Sequence, residues 1–490
     1  MKRLEDFPDA DLRIFARPEP PPLDALTDVY FIGICGTGMG SLALLLQEAG
    51  LAVHGADEKA WPPMSTRLAA AGIPIHEGFD AAHLQPAPSL TVVGNACTPT
   101  HPEAAYAREH GLVQLSFPET LAHVFLKHRR SLVVAGTHGK TTTTGMLAHV
   151  LRHAGLDPGF LVGGVMSGEE TSARVGTGPH FVVEGDEYDA AYFDKRPKFL
   201  HYRPAAAIVT SMEFDHADIY DGWDDYQDAF EAFAETVPES GRLVLWGDDP
   251  QVRELAQHTR ATVITYGLGD GCDVTAANVV TGGGGQRFDL VVNGRTLAEG
   301  VFLPMSGRHN LRNALGVAAL CLGEGLAPDQ IAEGLASFKG MKRRQEVRGE
   351  AGGVLVIDDF AHHPTAVHET VRAVKERWPE RRLVAVFEPR SNSSRRKVFE
   401  QPYTEAFDDA DAVFLSAPPL RHNDSAETFM DAEAVVAGIA ARGKDARLFP
   451  DVDALFPALR DAVHPGDAVL VMSNGAFGGL HQRLLDALSV

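Results

Sequence analysis

The sequence predicts an α/β protein of about three domains: an N-terminal Rossmann-like domain, a central P-loop ATPase-like parallel sheet with a small antiparallel insertion, and a C-terminal Rossmann-like domain. Three observations carry this. The chain has 490 residues, too many for one hydrophobic core. Apolar strand-like runs alternate with helical patterns over most of its length, the mark of parallel sheets with helical crossovers. Glycine-rich turns stand twice between a strand and a helix, at residues 33–40 and 136–139. The expected divisions are a flexible lead-in at 1–27, then domains at 28–128, 129–340 and 341–490.

The lead-in carries acids and a proline cluster (Pro18, Pro20, Pro21, Pro22) and lacks the apolar centre of a signal peptide. The first domain opens on a strand at 29–34, turns through glycines and enters a helix at 41–49. Strands follow at 52–55, ending near Asp57, and at 90–96. The basic stretch Lys127–Arg130 introduces the second domain and its first strand, 132–134. Three later strands end in acids: "HFVVEGDE", "AAAIVTSMEFDH" and "RLVLWGDD". Open parallel sheets bind ligands at the carboxyl ends of their strands, so chemistry is expected there. "FDLVVNGRTLAEG" reads as a hairpin turned at Asn293-Gly294. From about Gly340, four strands separated by helical stretches form another doubly wound unit.

Hydrophobic content of 44% and charged content of 22% are those of a soluble globular protein, and no apolar run reaches membrane-span length. Four cysteines lie far apart with no CxxC pair, which argues against a zinc site or disulfide framework and fits a reducing cytoplasm. The formal net charge of −22 disfavours nucleic acid and anionic membrane as partners. Phosphorylated substrates would need local cations; Arg129, Arg130, Arg344 and Arg395 stand in candidate clusters, with solvated surface as the alternative.

The two glycine turns differ. Gly33, Gly36, Gly38 and Gly40 do not fall on a clean GxGxxG, although Asp57 lies about 20 residues beyond, where a nucleotide fold places a carboxylate. A dinucleotide, another diphosphate and a purely structural turn all remain open for it. The second, "VAGTHGKTTTT" at 134–144, is stronger. Gly136 and Gly139 let backbone wrap a phosphate, Lys140 supplies a point charge, and Thr141 offers the hydroxyl that a P-loop gives to Mg²⁺. Val134 replaces the usual first glycine, so the loop is a shortened one. A turn with an incidental lysine is the plain alternative. Mg²⁺ needs hard oxygens, and Glu184 at the next strand end is the first choice, then His216 in "EFDHAD". Asp186, Glu187, Glu213 and Asp215 are expected to orient the site.

In order along the chain, "GICGTGMG", "GTHGKTTT", "EGDEYD", "MEFDHAD", "GRHNLRNA", "KGMKRRQE" and "DDFAHHPT" resemble the motifs of the Mur ligase family, the ATP-dependent enzymes that build the cell wall precursor peptide. The resemblance covers roughly residues 28–490. It implies a UDP-sugar site at Gly36, Thr37, Gly38, Met39, Asp57, Ser65, Asn95 and His138. It implies ATP contacts from Gly136, Thr137, His138, Gly139, Lys140, Thr141, Thr142, His309, Asn310, Asn313, Arg344, Asp359 and His362. Catalysis falls to Lys140, Glu184 and His216, with Mg²⁺ on Thr141, Glu184 and His216. For His138 a local capping role stays open, and for Asn310 and Asn313 an N-cap followed by an amphipathic helix.

"WPPMSTRL", "FDKRPKFLHY", "FEPRSNSS" and "MSNGAFGGLHQRLL" are similar to the members that attach L-alanyl-γ-D-glutamyl-meso-diaminopimelate to UDP-N-acetylmuramate. Members that use free L-alanine carry Pro-His-Arg-Tyr where this chain has Pro389-Arg390-Ser391-Asn392, and Arg390 and Asn392 become candidates for gripping the peptide. Some members bridge metals with a carbamylated lysine; Lys195 and Lys198 stand nearest the acidic strands, ordinary surface lysines being the alternative. A monomer or weak homodimer in the cytoplasm is expected. On residues alone, a nicotinamide dehydrogenase, a P-loop regulator and a UDP-sugar sensor stay open, and only the ligase uses both loops and Glu184.

Overall fold

The computed structural model of the chain describes residues 3–216, 219–282, 284–419 and 428–489. It divides into two compact units: Met1–Phe214 with Ile219–Thr275 and Gly316–Gly334, and Asp215–Asp218 with Ala276–Leu315 and Leu335–Val490. The expected α/β class holds, with mainly parallel sheets in succession along the chain.

In the first unit, β1 (Asp28–Ile32), β2 (Ala52–Asp57), β3 (Ile75–Glu77), β4 (Leu90–Val93) and β5 (Gln114–Ser116) form a parallel sheet in the order β3-β2-β1-β4-β5. β4 is buried at every position, Thr91 included, as befits a strand covered on both faces. The helix after β1 spans Thr37–Glu48, starting earlier than the expected 41. Its first turn therefore holds Gly38 and Gly40. A Cβ on Gly40 would stand 2.4 Å from Met64, so glycine there permits close packing of the helix Met64–Ala70.

The second sheet of this unit is built from β6 (Arg130–Ala135), β7 (Gly159–Leu161), β8 (Ala173–Arg174) and β9 (His180–Glu184). A small hairpin, β10 (Asp189–Ala191) and β11 (Asp194–Pro197), intervenes before β12 (Ala206–Val209), β13 (Arg242–Trp246) and β14 (Thr262–Tyr266). The sheet order is β14-β13-β12-β6-β9-β7-β8, parallel except for β8. β6 thus lies between β9 and β12, and their carboxyl ends meet at its own, where the chain leaves in opposite directions. One apolar cluster joins both sheets of the unit, from Val29 and Leu42 to Phe181, Phe230 and Leu245. β15 (Val274–Gly282) begins here, with Val274 paired to Tyr266.

The second unit contains the hairpin β16 (Gly285–Val292) and β17 (Arg295–Leu303), turned at Asn293 (φ 49°) and Gly294 (φ 74°). That is the left-handed pair a two-residue primed turn demands, and the expected turn is found in place. It also contains β18 (Glu346–Ala351), β19 (Val354–Asp359), β20 (Leu383–Phe387), β21 (Ala412–Ser416), β22 (Asp445–Phe449) and β23 (Ala468–Met472), in the order β18-β19-β23-β20-β21-β22. Only β18 runs antiparallel, and apolar clusters cover both faces.

The lead-in differs from expectation. Its described part is not a loose tail: it forms short helical turns at Leu4–Asp6, Ala10–Arg13 and Leu23–Ala25 and docks on the first unit. Arg13, Phe15 and Arg17 anchor it through partners far along the chain, which local composition does not register.

Candidate active site

β6 is buried up to Ala135, and the chain then reverses through Gly136 (φ 129°) and Gly139 (φ 79°) into the helix Lys140–His153. A Cβ on Gly136 would meet Thr210 Oγ1 at 2.2 Å and the Ser211 backbone nitrogen at 2.8 Å, so no side chain fits there. The segment after β12 pins the loop. The Thr137 amide donates to the Ser211 carbonyl (3.0 Å), the His138 amide to Ser211 Oγ (2.8 Å), and Thr210 Oγ1 to the His138 carbonyl (2.5 Å). The Thr137 hydroxyl meets the Glu213 backbone and, at 2.9 Å, Tyr226 Oη. The result is a rigid concave turn at a helix N-terminus, the geometry that receives an anion. Thr141 and Thr142 are buried in the first helical turn.

Lys140 Nζ donates to Gly136 O (2.5 Å), Thr137 O (3.2 Å) and both oxygens of the buried Glu187 (2.8 and 2.9 Å). Burial disfavours its ammonium, but Glu187, with Asp186 and Glu184 beyond it, more than offsets this and raises its pKa. Lys140 is therefore a fixed positive charge. Thr141 Oγ1 donates to Glu184 Oε1 (3.0 Å), whose other oxygen accepts from the Gly163 amide (2.8 Å). A hydroxyl and a carboxylate oxygen side by side make a donor set that suits Mg²⁺. Glu187, read from sequence only as an orienting acid, proves to be the counter-ion of Lys140. Gly163 was missed; the Gly163-Gly164 pair was the available signal, since a Cβ at Gly163 would stand 2.8 Å from the Glu184 carboxylate.

His138 Nε2 lies 3.3 Å from Glu213 Oε2. Lys195 pairs with Asp189, and Lys198 with Asp186 at 2.6 Å. His216, with φ 54°, belongs to the second unit; its amide donates to Asp215 Oδ1 (2.7 Å) and Ser393 Oγ (3.3 Å). Burial works against the Asp215 carboxylate, yet His216, Ser393, His363 and His362 hold it well below the usual carboxylate range.

At the first glycine turn, Gly36, Thr37 and Gly38 are exposed and Met39 is buried. Asp57 is not an outward carboxylate: Oδ2 accepts from the Cys35 amide (2.8 Å) and Oδ1 from the Glu58 amide (2.9 Å), so it shapes the turn. Ser65 lies in the helix Met64–Ala70, and Asn95 Nδ2 donates to Asp189 Oδ1 (3.2 Å).

In the second unit, Asn310 is buried and donates to the Ser306 carbonyl (2.8 Å); Asn313 is also buried. His309 lies between Glu369 (3.4 Å) and Gln345 Nε2 (3.2 Å). Asp359 is committed to the backbone, accepting from the Gln345 and Ala361 amides at 2.7 Å each, and burial raises its pKa despite nearby Arg344. Arg344 lies over the Phe360 ring at 4.8 Å, and His362 Nδ1 lies 3.0 Å from the Phe360 carbonyl. A Cβ on Gly475 would collide with Arg390, and Asn392 Oδ1 accepts from Arg395 (3.3 Å).

The basic clusters are largely structural. Arg129 donates to the Val175 and Gly176 carbonyls, Arg130 pairs with Glu324, and Arg395 is buried on the Pro419 carbonyl (3.0 Å). A cavity of about 510 Å³ in the first unit, lined by Arg3, Arg17, Lys195, Arg196, Asp225 and Asp228, involves neither glycine turn. Three of its cations are neutralised by Glu119, Asp189 and Asp194, so the phosphate loop, not this cavity, is where the chemistry concentrates.

Three family models match the chain in series: "Mur ligase family, catalytic domain" over residues 28–129, "Mur ligase middle domain" over 134–321, and "Mur ligase, glutamate ligase domain" over 343–475. The UDP-N-acetylmuramate–L-alanyl-γ-D-glutamyl-meso-2,6-diaminoheptandioate ligase of Escherichia coli (strain K12) is 39% identical over 462 residues, covering 94% of this chain and 98% of that protein. The UDP-N-acetylmuramate–L-alanine ligase of Chromobacterium violaceum is 36% identical over 460 residues, covering 92% and 97%. Among solved structures, a murein peptide ligase from Psychrobacter arcticus aligns with a TM-score of 0.71 at 36% identity, covering 94% of this chain and 99% of that one. With all three segments matched in order and relatives aligned over almost their full lengths, the chain belongs to the Mur ligase family.

Proposed function

We propose that this ligase joins the lactyl carboxylate of UDP-N-acetylmuramate to the amine of L-alanyl-γ-D-glutamyl-meso-diaminopimelate, forming ADP and phosphate from ATP. The observation that carries the reading is the half-buried Lys140 ammonium beside the Thr141–Glu184 oxygen pair at one helix N-terminus. A carboxylate oxygen attacks the γ-phosphorus and the bond to ADP breaks, leaving an acyl phosphate. The peptide amine adds to the acyl carbon, sheds a proton, and phosphate departs with the C–O electron pair. The first step brings anion to anion, and Lys140, at the N-terminus of the helix that Gly139 opens, counters that charge. Mg²⁺, when bound, supplies further charge neutralisation at the phosphates; Thr141 and Glu184 would hold it.

Gly36, Thr37, Gly38, Met39, Ser65 and Asn95 take the UDP-sugar, with Asp57 acting by shaping the turn. His309, Asn310, Asn313, Arg344 and His362 serve ATP, with Thr142 in the phosphate turn and Asp359 bracing the backbone before them. Arg390 and Asn392 grip the peptide. The Pro389-Arg390-Ser391-Asn392 run favours the tripeptide over free L-alanine as the amine. Free cysteines suit a reducing cytoplasm, where the working form is a monomer or weak homodimer serving recycling of wall peptide. Among the described residues no helix is long and apolar enough to cross a membrane. The test is phosphate release from ATP and UDP-N-acetylmuramate with either amine. Tripeptide-dependent release supports the reading, alanine-dependent release moves it to the sister activity, and failure to trap an acyl hydroxamate with hydroxylamine defeats it.

A further inference from the structure

The N-terminal segment has no part in the reaction as described, yet its side chains are committed to distant partners. Arg17 makes a two-pronged ion pair with the half-buried Glu119 (2.9 Å on each oxygen), donates to the Gln114 carbonyl (3.3 Å), and lies 4.4 Å from the Phe193 ring centroid. Glu119 also caps its own helix, Phe117–Val124, at Ser116. Arg13 donates to the Tyr192 carbonyl (3.1 Å), and Phe15 stacks on Tyr192 and meets Phe193 edge-on, at 6.3 and 6.0 Å. His123 donates to the Pro21 carbonyl (2.9 Å). One stretch of chain therefore binds the last strand and helix of the first sheet to the turn of the β10–β11 hairpin.

That hairpin carries Asp189. Its carboxylate accepts from Asn95, in the turn after β4, and from Lys195 of β11, whose ammonium faces the Phe7 ring at 5.8 Å. The contact between Asn95 and Asp189 is thus held from behind.

We propose that residues 9–21 form a positioning strap, which fixes the β10–β11 hairpin so that Asp189 sets Asn95 for the UDP-sugar. The inference rests on the assignment of the first glycine turn to that sugar. Arg13, Phe15 and Arg17 are positioning residues and touch no substrate. An amide held by a carboxylate on a loosely tethered hairpin would waste binding energy on ordering, and the strap removes that loss before the sugar arrives.

The test uses the full-length chain with Arg13→Ala, Phe15→Ala and Arg17→Ala combined. KM for UDP-N-acetylmuramate is expected to rise about tenfold while KM for ATP stays within about twofold. Amide hydrogen exchange across residues 189–197 should accelerate in the absence of substrate. A conservative set, Arg13→Lys, Phe15→Tyr and Arg17→Lys, should recover most of both effects. Faster exchange with an unchanged sugar KM overturns the positioning role, and unchanged exchange overturns the clamp itself. An equal rise in both KM values also counts against the proposal, because general loosening would produce it. A wild-type protein that does not use the UDP-sugar removes the functional reading and this inference together; that result is visible before any variant is compared.

Discussion

Lys140 already has oxygen partners at Gly136, Thr137 and both arms of Glu187, so a phosphate must compete for an ammonium that is held, not free. The arrangement keeps the charge aimed at the loop interior and ties activity to stability at one residue. Lys140→Ala should lower kcat/KM by at least about a hundredfold, the loss expected for one well-aimed charged donor. It should also destabilise the fold by about 3 kcal/mol, because Glu187 is left buried without its partner. Combining Lys140→Met with Glu187→Gln removes both charges and should restore most of that stability in urea unfolding, with turnover still lost. Failure to regain stability would show that the ion pair is not the source of the cost. The glycine-lysine-threonine run was legible in the sequence because all its parts are neighbours. Glu187 as the counter-ion was not, since its role depends on β9 lying beside β6.

At the level of elements, the phosphate loop is shaped as much by the end of β12 as by its own glycines. Thr210 and Ser211 fill the space where a Gly136 side chain would go. Gly136→Ala should therefore cost about 3 kcal/mol through overpacking against a backbone that cannot retreat. Ser211→Ala is milder: it strips the acceptor from the His138 amide and should cost about 1 kcal/mol, with a raised KM for ATP. Thermal unfolding and steady-state kinetics on the two variants separate the effects; equal losses would contradict the packing account. The hairpin at Asn293-Gly294 was readable from its dipeptide, because the left-handed turn is a local demand. The start of the helix after β1 was not. Its glycines look like a loop in sequence, yet Gly38 and Gly40 lie in the helix, where a Cβ on Gly40 would run into Met64.

Across the molecule, the first unit is closed by Glu324, which follows the helix Arg308–Gly323. It accepts from Arg130 (2.5 and 2.7 Å) on β6, and lies 3.3 Å from His180 on β9 and 3.7 Å from Arg242 on β13. Burial works against the Glu324 carboxylate, but His180 and Arg130 prevail and bring its pKa down to about 2 from 4.5. A carboxylate with a depressed pKa adds stability that is complete above its unfolded value and is lost as the pH falls through the folded one. The clasp should thus hold at pH 5 and above and fail between about pH 4.5 and 2. Glu324→Gln should cost about 3 kcal/mol at neutral pH by leaving cations uncompensated. The gap between wild type and variant should shrink toward pH 2 in denaturant titrations. A constant gap across that range rules out this clasp as a source of acid sensitivity.

The sequence by itself determined the alternating α/β pattern, both glycine turns, the charged lysine with its threonine, and the ordered motifs of the family. All of these are written in residues within a few positions of one another, where backbone and helix-end chemistry act. Tertiary structure alone decided the partners: Glu187 for Lys140, Glu324 for Arg130, Asp57 for the Cys35 amide, and the docking of a lead-in whose acids and prolines read as disorder. Arg17 finds Glu119 across 102 residues and Arg13 finds Tyr192 across 179. Such pairs form because sheets pack and helices close over them, and no local spacing records which distant carboxylate will come to rest beside a given cation.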